Sequence, residues 1–327
     1  MRPRLARKQA HTRIEERALA SRAAAVPRAE DWSDGLPRHV KHSDAQLRRN
    51  RPLQQPLDSH AVCRMTKYVF SCGGGVQSTA CLVLAAQGKI PYQTFIFANV
   101  GDKAEDPRTI RYVSEVLKPY AKENQIEWVD IQRKRRNGDP VDLFEELHRP
   151  VRSIDIPMRM ANGAPGNRNC TVNFKIKPIA KWIKNHAPSC VLGKGISTDE
   201  PHRATPSRES DGYSSAYPLI ELGISRADCL EIVKKAGLPQ PPKSACWFCP
   251  YKTTDQWITF RRERPELFAQ AVELEKTLNA KREEIGKDAV YISGRCKPLD
   301  RAIPDQLGLF PSWVDEQDGC ESGYCMT

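Results

Sequence analysis

Tyr68-Val69-Phe70-Ser71-Cys72-Gly73-Gly74-Gly75-Val76-Gln77-Ser78-Thr79 is the stretch whose reading decides the fold. Tyr68 to Phe70 is aromatic and β-branched, and Tyr68–Cys72 is expected as a strand. Three glycines follow, then Ala80 to Ala86, a short apolar run of helix formers. Strand, glycine turn and helix are the parts of a phosphate cradle. Glycine lets backbone N–H groups approach an anion, and a helix N-terminus adds partial positive charge. Ser78 and Thr79 stand where a hydroxyl can cap the helix and donate to a phosphate. A Cβ at Gly74 is expected to keep the backbone away from that phosphate. The loop lacks the Gly-Lys-Ser/Thr ending of a Walker A loop and is not the Gly-x-Gly-x-x-Gly dinucleotide fingerprint.

Gly73-Gly74-Gly75-Val76-Gln77-Ser78 resembles the PP-loop of the ATP pyrophosphatase and phosphoadenosine-phosphosulfate (PAPS) reductase superfamily, whose pattern is Ser-Gly-Gly-x-Asp-Ser. Gly73 replaces the first Ser and Gln77 replaces the Asp. Gln at that position is similar to the reductase branch. Losing the Asp weakens the case for a magnesium-bound pyrophosphate. The resemblance implies ATP or another adenine nucleotide on Gly73, Gly74, Gly75, Gln77, Ser78 and Thr79. From the loop alone, a glycine turn in any other α/β domain reads the same way.

Outward from the loop, strands alternate with helices. Strands are expected at Thr94–Ala98, Ile126–Ile131 and Cys190–Gly195. Helices are expected at Thr79–Gln87, Arg108–Tyr120, Val141–Leu147, Ile176–Asn185 and within Leu222–Ala236. That alternation predicts an α/β fold, a parallel sheet with helices on both faces. The resemblance makes it PP-loop, adenine nucleotide alpha-hydrolase-like. Ligands in such folds sit beyond the carboxyl ends of the strands. Three segments converge there: the glycine loop, the loop after Ala98 and the loop after Gly195. Residues 65–238 are read as this nucleotide-binding domain. The Pro-rich run Pro239-Gln240-Pro241-Pro242 opens a largely helical C-terminal region, 239–327, with helices at Thr254–Arg262 and Pro265–Ile285 and an irregular end.

The chain has 327 residues, 39% of them hydrophobic, and a formal net charge of +11. Residues 1–64 hold 14 Lys and Arg against 7 Asp and Glu, so most of the excess charge lies there. That segment is Arg-, Pro- and Ala-rich without a sustained period, and is expected as a disordered basic extension, either a solvated tail or an arm for nucleic acid. Met65 directly precedes the first strand and is a candidate start. No apolar run reaches membrane-spanning length. A cytoplasmic protein with no membrane partner is expected. Its 11 cysteines then suggest metal or redox chemistry more than disulfides.

Cys246-Trp247-Phe248-Cys249-Pro250 is a Cys-x-x-Cys whose two thiolates can reach one metal or cluster. Upstream, Arg168-Asn169-Cys170-Thr171 precedes Phe174-Lys175-Ile176-Lys177-Pro178. This resembles the cysteine segment of iron–sulfur adenylyl-sulfate reductases, with Thr171 in place of the second Cys. The resemblance implies Cys170, Cys246 and Cys249 as ligands of a [4Fe–4S] cluster with one iron left open. This is similar to iron–sulfur tRNA thiolation enzymes of the PP-loop class and to DNA phosphorothioation enzymes. Zinc with Cys296 or His202 as fourth ligand, or a redox dithiol, are the alternatives. Cys63, Cys72, Cys81, Cys190 and Cys229 read as small hydrophobes.

Asp102, with Glu105, is read as a metal ligand or proton acceptor on the loop bordering the substrate; for Glu105 and Asp106 an acidic helix N-terminus is an equal reading. Arg203 is read as a fork for phosphate or sulfate. Cys325, near Cys320, is read as a mobile thiol, by loose likeness to the C-terminal catalytic Cys of PAPS reductases. Three functions follow: adenylation and sulfur transfer to tRNA or DNA, reduction of adenylyl sulfate or PAPS, or a zinc-containing nucleic-acid-binding module. The first two need a sulfur or electron donor.

Overall fold

The structure is a computed structural model that describes residues 66–150, 153–205 and 212–303. The expectations for residues 1–64, for Met65, and for Cys320 and Cys325 lie outside the described residues. Alternating apolar side chains build the sheet. Strand β1 (Tyr68–Cys72) runs parallel to β2 (Thr94–Asn99) on one side. Val69, Ile96 and Ala98 point to one face, and Phe70, Phe95 and Phe97 to the other. Both faces must then be covered, because a strand apolar on both sides exposes one row otherwise.

Helix α1 (Val76–Ala86) follows β1 directly. It starts three residues earlier than expected. The Gly75 N–H donates to Ser78 Oγ at 3.1 Å and Ser78 Oγ donates to the Gly75 carbonyl at 3.0 Å, so the turn is capped at once. After β2 come α2 (Pro107–Tyr112) and α3 (Lys118–Glu123), joined by a π-turn over Val113–Leu117. Strand β3 (Glu127–Gln132) pairs parallel to β2, and α4 (Leu143–His148) follows. The short β4 (Arg159–Met160) comes next. Then α5 (Asn169–Thr171), a second π-turn over Val172–Ile176, and α6 (Lys177–His186) form one continuous helical run. Each π-turn ends one residue before a position ahead of a proline, Pro119 or Pro178. Proline lacks the N–H for the preceding turn and crowds its carbonyl, and widening that turn relieves both.

Strand β5 (Val191–Lys194) lies on the other side of β1, and β6 (Ser214–Ala216) beyond it, both parallel. The order across the sheet is β3-β2-β1-β5-β6. The order in which strands are added therefore reverses at β1, where doubly wound sheets open a crevice. β6 has no apolar pattern to reveal it; it pairs by backbone with β5. The helix expected within Leu222–Ala236 is α8 (Arg226–Lys235), and a short helix that was not expected, α7 (Pro218–Glu221), precedes it. Gly223 at φ +68° ends the first, and Ser225 caps the second in a reciprocal bond with Asp228. Helices α1, α2 and α8 cover the phenylalanine face, and α6 covers the other. The parallel α/β sheet with helices on both faces is as expected. Among the described residues no helix is long and apolar enough to cross a membrane.

The remaining elements are α9 (Thr254–Glu263), α10 (Pro265–Glu284), β7 (Val290–Tyr291) and α11 (Leu299–Ala302). β7 pairs antiparallel with β4. Trp247, Phe248, Trp257, Phe268, Leu274 and Leu278 share one core with Val100, Leu143, Ile156 and Phe174. This core sits at the carboxyl ends of the strands, so the C-terminal helices build one wall of the crevice.

Candidate functional site

Two adjoining pockets open at these strand ends. The first is lined by Ser71, Cys72, Gly73 and Ala98 from the ends of β1 and β2, by Lys194 from β5, and by Lys175, Ile176 and Tyr213. Of the glycine loop, Gly73 lines it. Gly74 stands at φ +74°, in the region only glycine enters freely. A Cβ there would meet Val113 Cγ2 at 3.0 Å and Thr109 Cγ2 at 3.2 Å. The tight neighbour of Gly74 is therefore helical packing behind the loop, which sequence reasoning about phosphate access did not anticipate. At Gly75 a Cβ would meet only Ser244 Cβ, at 3.5 Å.

Ser78 is spent on the capping bonds, and Thr79 Oγ1 donates to the Gly75 carbonyl at 2.9 Å. Both are buried. They shape the loop, and backbone N–H groups are left as its means of holding an anion. Gln77 accepts from Arg226 at 3.1 Å, which ties the loop to the start of α8. Asp199 accepts from the Arg226 N–H and from Ser197 Oγ, and these donors, the backbone one foremost, hold its carboxyl below the usual Asp range. Burial pushes the Cys72 thiol up to about 11, so at the rim of this pocket it stays protonated.

The second pocket is lined by Cys170, Cys246 and Cys249, with Arg168, Lys175 and Tyr251 among apolar residues that include Val100 and Leu143. The three cysteines expected as ligands thus face one pocket, although Cys170 and Cys246 belong to distant segments. Cys170 stands in α5, where its N–H donates to the Asp155 carbonyl at 2.6 Å. The Cys-x-x-Cys turn is docked on the loop after β2. Cys246 pairs by backbone with Glu105, and the Trp247 indole donates to the Lys103 carbonyl at 2.6 Å. Just upstream, Ser244 Oγ donates to the Gly73 carbonyl, so the same segment crosses the glycine loop.

Among the described residues no three His, Cys, Asp or Glu side chains are drawn together to hold one metal ion. A polynuclear iron–sulfur group spreads its ligands wider than a lone ion does, and its soft irons take thiolates. Three cysteines around one apolar pocket fit such a group. Neither Cys296 nor His202 lines the pocket. Cys296 sits in a left-handed turn at φ 51°, its thiol against the Gly294 carbonyl at 3.6 Å.

The other candidates lie elsewhere. Asp102 is exposed and accepts from Asn99 at 2.7 Å; it lines neither pocket. Glu105 is buried beside Cys246. Asp106 caps α2 by accepting from the Arg108 N–H at 2.9 Å, and Arg264 donates to both its oxygens at 2.8 and 2.6 Å. Burial raises its pKa, but these donors outweigh that and hold it below the usual Asp range. Arg203 is buried and donates to Glu200, so its fork is engaged within its own turn. Cys72, Cys81, Cys190 and Cys229 are buried, as expected of small hydrophobes.

Sequence reasoning missed Lys175, which lines both pockets. Five residues separate it from Cys170, a spacing that divides two residues between faces of an α-helix. The π-turn, with its i→i+5 closure, brings it round to the same pocket. Arg168 and Tyr251 were also missed. Both flank the cysteines within two residues, which was the available signal.

The glycine loop follows the central strand of a parallel sheet, at the point where strand order reverses. No protein-family model and no curated protein matches the chain. Among solved structures, the chain is similar to a PAPS reductase from Candida auris in a phosphate complex: 15% identity, 55% of this chain and 77% of that chain covered, TM-score 0.37. It is also similar to the U34-tRNA thiolase NcsA from Methanococcus maripaludis with its [4Fe–4S] cluster: 16% identity, 65% and 72% covered, TM-score 0.37. Both likenesses are too distant to assign an activity.

Proposed function

We propose that the chain is an enzyme that adenylates an oxygen of a nucleic acid with ATP and replaces it with sulfur. The observation that carries this reading is Lys175, which lines both the glycine-loop pocket and the three-cysteine pocket. A nucleotide on one side and a sulfur-handling group on the other would then meet across a single ammonium group.

In this reading the backbone N–H groups of the Gly73–Ser78 loop and the N-terminus of α1 hold the phosphates. Lys175 and Lys194 neutralise charge at the mouth of the pocket. The acceptor oxygen attacks the α-phosphorus and pyrophosphate leaves. A sulfur nucleophile then displaces AMP from the activated carbon. Cys170, Cys246 and Cys249 would hold a [4Fe–4S] cluster, which supplies a soft site for sulfur and electrons when bound. The apolar walls, Val100 and Leu143 among them, keep water from competing for the activated carbon. Exposed cations on segments that follow pocket-lining or strand-end residues, Lys177 at the start of α6 and Lys134 and Arg136 after β3, suit a phosphodiester acceptor.

The deciding experiment gives anaerobically purified protein either ATP with a nucleic-acid pool or adenylyl sulfate with a thiol reductant. AMP and pyrophosphate released with ATP, together with sulfur in the nucleic acid, are the expected result. Sulfite released from adenylyl sulfate instead identifies a reductase. Zinc at the cysteines with neither turnover identifies a binding module.

A further inference from the structure

Where the PP-loop pattern carries the Asp that a magnesium-bound pyrophosphate would need, this chain carries Gln77. Magnesium takes hard oxygen ligands, usually a carboxylate or two besides the phosphates themselves. Gln77, the second residue of α1, offers only a neutral amide, and its Oε1 already accepts from Arg226 Nη1 at 3.1 Å. Asp199, on the loop after β5, spends Oδ2 on the Arg226 N–H and on Ser197 Oγ. Asp102 lines neither pocket. A metal ion at Gln77 would stand beside a guanidinium of the same sign. These residues do not fit magnesium at the glycine loop.

They fit an anion instead. The first N–H groups of a helix have no acceptor within it. A Cβ at Gly195 would stand 3.3 Å from the Ser78 nitrogen, so glycine there keeps the approach to the first turn of α1 open from the β5 side. Arg226 begins α8 and is exposed. One of its N–H donors goes to Gln77, and the rest of its planar fork suits phosphate oxygens. An Asp at position 77 would draw that guanidinium into an ion pair. A neutral amide orients it and leaves its charge for a ligand.

We propose that Arg226, positioned by Gln77, takes the part of magnesium at this loop, so that the nucleotide's phosphates bind without a divalent cation. This rests on the reading that the loop binds ATP. Gln77 is then a positioning residue, and Arg226 touches the phosphates.

The test is calorimetry of the full chain with ATP, in EDTA and in excess magnesium, for wild type, Arg226→Met and Gln77→Asp. Wild type should bind equally well in both buffers. Arg226→Met should lose about ten- to hundredfold in EDTA, the range of a hydrogen bond to a charged group, and magnesium should restore part of it by neutralising the phosphates. Gln77→Asp, which pairs Arg226 and adds a carboxylate, should bind weakly in EDTA and recover with magnesium. If Arg226→Met fails to fold by circular dichroism, Gln77→Asp decides in the same two buffers. Loss by the same factor in both buffers overturns the inference, because a mere tether between α1 and α8 would do that; unchanged affinity in either variant overturns it too. Wild type that binds ATP only with magnesium overturns this inference and leaves the ATP reading standing. Wild type that binds no ATP in either buffer overturns both.

Discussion

Replacing Gly74 by Ala and, separately, Gly75 by Ala distinguishes two reasons for glycine in one loop. At Gly74 the backbone is left-handed, φ +74°, which costs an L-residue about 1–2 kcal/mol. The new methyl would stand 3.0 Å from Val113 and 3.2 Å from Thr109, both buried, so neither can swing clear. Overpacking of that kind adds about 1–3 kcal/mol. The expected loss of ~2–5 kcal/mol is a large part of the roughly 5–15 kcal/mol that holds a typical protein folded. It lowers the melting temperature by about 5–15 °C in a chain of this size. Gly75 is extended, φ −97°, and its methyl would meet Ser244 at an ordinary 3.5 Å. Gly75→Ala should cost less than about 1 kcal/mol in stability. Under the proposed function it still weakens ATP binding, because the methyl stands beside the N–H groups that face the phosphates. Urea unfolding followed by fluorescence gives the stabilities, and calorimetry with ATP gives the affinities. A Gly74→Ala protein as stable as wild type would refute the packing argument, whatever its affinity.

Other outcomes follow from the same geometry. Cys170→Ser, Cys246→Ser and Cys249→Ser should each strip iron from anaerobically purified protein, since a hydroxyl is a poor ligand for a soft site, whereas Cys190→Ala and Cys229→Ala should retain it; iron assay and visible absorbance distinguish the two sets. Burial of Glu275 raises its pKa to about 7, even though the Leu299 and Ile292 N–H groups donate to it. Protonation thus favours the folded state: this contribution, ~3 kcal/mol, is whole below the unfolded Glu range and is lost as pH rises through about 7. Glu275→Gln should flatten urea stability between about pH 5 and 8, and an unchanged slope would count against the assignment. Asp106 works in the opposite sense. Its lowered pKa contributes stability above the usual Asp range, lost as pH falls through the folded value. Asp106→Asn should cost about 3 kcal/mol near neutrality, by leaving the partly buried Arg264 without its counter-charge, and acid titration of the variant should show a shallower fall.

Most of the sheet was legible because its signals are local. Phe70, Phe95 and Ile96 lie in runs that only a doubly covered strand explains, and Gly73 to Gly75 mark the turn after β1. What was not legible depends on geometry between segments. β6, with Ser214 and Ser215, is held by backbone pairing to β5 and shows no apolar pattern. The π-turn ahead of Pro178 changes which side chains share a face, so Lys175 could not be placed from helical periodicity. Arg203 looks like an anion fork in sequence, but Glu200, three residues before it, takes that fork on folding. The three cysteines were legible as chemistry. That they share a pocket depends on how the loop after β2 receives Trp247, which sequence spacing does not encode.

The cysteine pocket also has a history in time. A chain leaves the ribosome N-terminus first, and its folding units close as they emerge. Cys170 appears with α5 and α6, when Leu143, Ile156 and Phe174 still lack the aromatic residues that will cover them. Cys246 and Cys249 arrive only later, and Trp257, Phe268 and Leu278 later still. Until the Cys246–Cys249 turn docks, the hollow has one sulfur donor, and until α9 and α10 pack, its apolar wall stays open. Under the proposed function, metal loading is therefore a late step of biosynthesis, and a nascent chain stalled before α9 exposes the apolar side of the cysteine pocket to chaperones and proteases.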